Sequence, residues 1–67
     1  MNEELLLNVK QTIVAFKNYV LQGKCPFMRQ DDLVEMIVIL EEASGKIERG
    51  IILNEEDLED FIEAYLT

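Results

Sequence analysis

Apolar residues recur at steps of three and four along most of this chain, and Gly23 and Gly50 each close a stretch that follows the rule. In the first stretch Leu6, Val9, Ile13, Phe16 and Val20 form one line at helical spacing, which predicts an amphipathic helix over about residues 3–22. Asn2 is placed to cap its start, Glu3 and Glu4 stand at the positive end of the helix dipole, and Gly23 suits the left-handed position just past the end. The link that follows holds the single proline, Pro26, between Cys25 and Phe27. Its length suits a connection between antiparallel helices, and Phe27 and Met28 are expected to fold back over one end of the core.

The second stretch runs from about Gln30 to Arg49. Leu33, Met36, Leu40, Ala43 and Ile47 keep the helical spacing, Asp31 and Asp32 open it, and Lys46 and Arg49 fall in the last turn before Gly50. Those features predict a second helix. The run Met36–Leu40 is continuous and rich in β-branched residues, and Ala43-Ser44-Gly45-Lys46 could turn the chain. An α+β alternative with a hairpin over 35–53 therefore stands beside the helix. The third stretch has the clearest start: Asn54 as N-cap, Asp57 as the acid of a capping box, and Leu53 placed to staple onto Leu58. Leu58, Phe61, Ile62 and Tyr65 then form a single narrow apolar stripe. The expected fold is all-α: one small three-helix domain spanning residues 1–67, with helices near 3–22, 30–49 and 54–66.

One line of apolar residues is surplus to that core. Leu7, Val14 and Leu21 recur every seven residues on their own side of the first helix, with Lys10 and Lys17 between them and the core stripe. Val38 repeats the anomaly on the second helix, on the side that carries Asp31, Glu42 and Arg49. A wide face that wraps the domain's own core would account for these residues. So would an interface, and the expectation taken here is a homodimer through Leu7, Val14 and Leu21. A chain of 67 residues is near the size at which one core is only marginally stable, so a further apolar contact matters to it.

Charge changes the picture next. Residues 1–28 carry Glu3 and Glu4 against Lys10, Lys17 and Lys24, while residues 29–67 carry the other twelve of the fourteen acids against Arg29, Lys46 and Arg49. The first part is slightly positive, and the whole net charge of −8 arises from the second. Glu55, Glu56, Glu59, Asp60 and Glu63 crowd the third helix, where they form either a solvated face or a recognition face for a basic partner. Direct nucleic-acid binding is not expected, because six dispersed basic residues in an acidic chain would be repelled by a phosphate backbone.

Little else in the chain carries chemistry. There is no histidine, and Cys25 has neither a second cysteine to pair with nor a base to activate it. The paired acids are adjacent in sequence and so point about 100° apart on a helix, which does not make a ligand set. The three glycines are isolated and build no phosphate loop. No catalytic, metal or cofactor-binding residues are expected, and no cofactor. The longest apolar run, Met36–Leu40, is far short of the roughly 20 residues of a membrane span, and the start Met1-Asn2-Glu3-Glu4 lacks a basic signal region. The chain is expected to be cytoplasmic and off the membrane.

The function expected from these features is a non-catalytic acidic interaction module. It would act as an inhibitor or adaptor by occupying a basic surface of a partner protein. Two alternatives are a DNA-mimic inhibitor of a nucleic-acid-binding protein, and a structural subunit docking by its apolar helix face. In size and charge alone the chain is similar to short acidic helical proteins found among phage and mobile-element inhibitors of host proteins, and among antitoxins and regulatory adaptors.

Overall fold

Three α-helices follow one another in the computed structural model, which describes residues 3–66: α1 at Glu3–Gln22, α2 at Gln30–Glu48 and α3 at Glu55–Leu66. No strand occurs among the described residues, and α2 runs unbroken through Ala43-Ser44-Gly45-Lys46. The Ser44 hydroxyl donates back to the Glu41 carbonyl at 2.7 Å, so that polar group is satisfied within the helix. The cap expected at Asn2 lies outside the described residues.

The helix ends are set by the residues that the spacing marked. Gly23 adopts φ +75° and its N–H donates to the Tyr19 and Val20 carbonyls, both at 3.1 Å, closing α1 with a left-handed cap. Gly50 does the same for α2 at φ +77°. Its N–H donates to Ile47 and the next N–H, of Ile51, reaches back to Lys46 at 2.9 Å, which is a full Schellman motif. Arg49 is thus the cap and α2 ends one residue earlier than expected. At the start of α3 the Asn54 Oδ1 accepts the Asp57 N–H at 2.9 Å. Asp57 Oδ2 in turn accepts the N–H of Leu53, at 3.2 Å, rather than that of Asn54 as in a standard capping box.

Packing makes two layers. The α1–α2 hairpin is antiparallel, and two exposed ion pairs bridge it: Lys10 Nζ lies 3.2 Å from Glu48 Oε1 and Lys17 Nζ 2.9 Å from Glu41 Oε1. Leu5, Val9 and Ile13 of α1 bury against Ile37, Leu40, Ala43 and Ile47 of α2, with Ile52 of the second link beneath them. Helix α3 lies across one face of this hairpin through Leu58, Phe61 and Ile62, none of them fully buried. Lys46 Nζ sits 5.8 Å from the centroid of the Phe61 ring, a cation–π contact between α2 and α3.

Several side chains sit elsewhere than the periodicity placed them. Leu5 is buried where Leu6 was expected to be and Leu6 is only partly covered, because a Leu5-Leu6-Leu7 triplet offers three adjacent directions and α2 and α3 together centre the buried face on Leu5 and Val9. Met36 is half-buried, whereas Ile37 and Ile39 are buried. In the second link it is Ile52 that is buried, while Leu53 is largely exposed. Phe27 does fold back, placing its ring 5.8 Å from Phe16 and edge-on at 5.4 Å to Tyr19, yet it stays about half exposed.

Candidate interaction surfaces

On the uncovered face of the hairpin, Leu7, Val14 and Leu21 are 55%, 59% and 84% exposed. At 100° per residue their line lies roughly 170° around α1 from Leu5, Asn8, Val9 and Thr12, the residues that face α3. They therefore belong to the side of α1 that no other helix of the chain covers. Lys10 and Lys17 stand between the stripe and α2, with their ammonium groups directed to Glu48 and Glu41. Val38 is about half exposed on α2.

Val34 is the residue that the spacing did not bring forward. It too is about half exposed, and it meets Leu21 across a shallow groove of about 360 Å³ completed by Lys17, Val20 and Ile37. The apolar patch therefore crosses from α1 to α2. A signal was present in the sequence: Val34, Glu41 and Glu48 recur every seven residues on α2, as Leu7, Val14 and Leu21 do on α1.

The acids occupy the other side of the molecule. Glu55, Glu56, Glu59, Asp60 and Glu63 are all exposed, and at 100° per residue they span an arc of about 140° on α3. Asp57 stands apart from this arc as the capping acid. Beside the arc, α3 does not close fully on α1. A groove of about 240 Å³ runs between them, with Leu5, Val9, Leu40, Leu58 and Ile62 as its apolar floor and Glu55 and Glu59 among its lining residues. An acidic rim thus adjoins an apolar floor, a combination that the charge pattern did not reveal.

Among the described residues no group of three or more His, Cys, Asp or Glu side chains is placed to hold a metal ion, and no helix is long and apolar enough to cross a membrane. Cys25 is half-buried in the first link and unpaired. No protein-family model, curated protein sequence or solved structure matches this chain.

Proposed function

We propose that this chain is a non-catalytic interaction module, cytoplasmic, that acts as an inhibitor or adaptor by occupying a basic surface of a partner protein with α3 and that self-associates through the uncovered face of α1. The observation that carries the reading is the join between Glu55 and Glu59 and the apolar groove over Leu5, Val9 and Ile62. A cluster of acids alone serves solubility as well as recognition. Acids along the edge of an apolar cleft favour one chemistry, a basic amphipathic segment that lays apolar anchors on the floor and Lys or Arg along the rim. The two surfaces lie on opposite sides of the α1–α2 hairpin, so occupying one leaves the other accessible.

The test is the triple variant E55Q/E59Q/E63Q, which keeps side-chain length and nearly keeps helix propensity. Proteins retained from a lysate by the wild-type chain at low salt, identified by mass spectrometry, are compared with those retained by the variant. The reading expects a basic partner that the wild type holds, that moderate salt releases and that the variant fails to hold. Equal retention by both chains would assign the acids to solubility. Release of the partner by added duplex DNA would favour the DNA-mimic alternative.

A further inference from the structure

The groove between α1 and α3 is the middle of a longer trough. Past Leu5 and Asn8 it opens into a hollow of about 280 Å³ that Glu4, Asn54 and Glu55 complete. In the other direction, past Thr12, it opens into a shallow hollow of about 480 Å³ walled by Ala15, Phe16, Tyr19 and Phe27. Asn8 lines all three hollows. The α1 residues Glu4, Asn8, Thr12, Ala15 and Tyr19 follow one another along the trough at steps of three and four, so they share one face of the helix. From Glu4 to Tyr19 that face runs for about 22 Å.

The two halves of the trough differ in chemistry. Glu4, Glu55 and Glu59 line the half toward the start of α1, and none of the six Lys and Arg residues lines any of the three hollows. The half beyond Thr12 carries no charged side chain. There Phe27 packs 5.8 Å from Phe16 and edge-on at 5.4 Å to Tyr19, and Ala15, exposed and the smallest side chain on this face, leaves room beside the rings. The rings hold one another in place, so an anchor set beside them has little left to order.

We propose that this trough seats an amphipathic helix of a partner protein, with Lys or Arg over Glu4, Glu55 and Glu59 and an apolar anchor over Ala15. The proposal rests on the acidic-groove reading above and adds the occupant's secondary structure, its length and which half carries its charge. Charge complementarity sets the last of these: the acids are confined to one half and no base accompanies them. The helix follows from the walls. Both are helices, whose main-chain groups are bonded internally, so they offer no strand edge. An extended segment laid between them would give up water without main-chain partners, whereas a helix brings its own hydrogen bonds. The length of the trough corresponds to about 15 helical residues, or four turns.

The probe is a phage-displayed library of random peptides of about 16 residues, selected on the immobilised full chain. Enriched peptides are expected to carry Lys and Arg in one half and apolar residues at steps of three and four in the other. A synthetic copy should gain helical circular dichroism on binding. Added to the isotope-labelled chain, it should shift the amides of Glu4, Asn8, Ala15 and Glu59 and leave Leu7, Val14 and Leu21 unmoved. Two variants at exposed positions separate the halves. E55Q/E59Q should weaken the peptide about tenfold at low salt and little at high salt. Ala15→Trp, which fills the space beside the rings, should weaken it about tenfold at either salt, with unchanged circular dichroism of the free chain. A loss with E55Q/E59Q and none with Ala15→Trp would overturn the helical seat along α1 and leave the acidic groove standing. Enriched peptides that bind the trough without bases would overturn both readings. No enrichment, peptides that stay extended when bound, or shifts confined to Leu7, Val14 and Leu21 would overturn the helical occupant. Shifts at the same residues that grow with the chain's own concentration, without peptide, would put a second copy in the trough and overturn a partner helix.

Discussion

Replacing Val14 by glutamate separates a surface used between copies from a surface used within one. In the subunit this side chain is 59% exposed, so the fold loses little when it changes. Glutamate at 14 would also stand three residues before Lys17 and four after Lys10, spacings at which opposite charges on a helix add a few tenths of a kcal/mol each. The helical monomer should be unharmed. The dimer should not be. Burying a whole valine is worth about 1.5–3 kcal/mol, and the exposed fraction leaves about 1–2 kcal/mol per copy to be gained at the seam, or about 2–4 kcal/mol for two copies. At about 1.4 kcal/mol per factor of ten, losing that term alone weakens association by about 30- to 1,000-fold. A carboxylate placed in a desolvated seam adds a further penalty of the same sign. Analytical ultracentrifugation is therefore expected to show the V14E chain as a monomer where the wild type is a dimer, with the same helical circular dichroism signal per residue. A V14E chain that still sediments with the wild type would refute the seam. A V14E chain that loses its helix would refute the claim that Val14 lies outside the core.

Three further outcomes test the parts of the fold that hold the two surfaces in place. Asn54→Ala removes the oxygen that accepts the Asp57 N–H and should lower stability by about 1 kcal/mol, read as a reduced thermal midpoint with unchanged low-temperature helicity. Ile39→Ala, at a fully buried position, should cost about 2–5 kcal/mol, a large part of the roughly 3–10 kcal/mol that a domain of this length commands, and chemical denaturation would report it. Gly50→Ala forces a Cβ into a left-handed backbone at φ +77° and should cost about 1–2 kcal/mol in the same assay, although the space around it is open.

Termini and most of each core stripe were legible in this sequence, while the choice among adjacent apolar neighbours was not, for a physical reason. A helix end is decided by one or two residues with particular backbone chemistry, and Gly23, Gly50 and Asn54 announce themselves. A helix face is decided by what packs against it. In α2 the run Met36-Ile37-Val38-Ile39-Leu40 is apolar in every direction, so its periodicity leaves the orientation open. In the folded chain Ile39 is fully buried and Val38 is about half exposed, although the two are neighbours of the same type. The same holds for Leu5-Leu6-Leu7 and for Ile51-Ile52-Leu53, where only the folded chain says which of three neighbours goes in. The acidic arc was readable from composition, but its apolar neighbour was not, because the groove is formed by residues from three different helices.

The uncovered stripe and the loosely seated third helix bear on one another. Helix α3 buries no residue completely, and the core of the subunit depends on the α1–α2 hairpin, whose outer face is open to solvent along Leu7, Val14 and Leu21. A hairpin of two helices covered on one side only is a thin structure for a domain of this size. A second copy laid along α1 would cover the other side and make the hairpin the middle of a thicker bundle, with α3 of each subunit outermost. The acids would then lie at the two far surfaces of the dimer, where their mutual repulsion is smallest and where each groove stays open to solvent. The sequence distributes charge in keeping with this arrangement. Residues 1–28, which supply Leu7, Val14 and Leu21, are close to neutral, and six of the fourteen acids lie on α3, the helix on the far side of the hairpin.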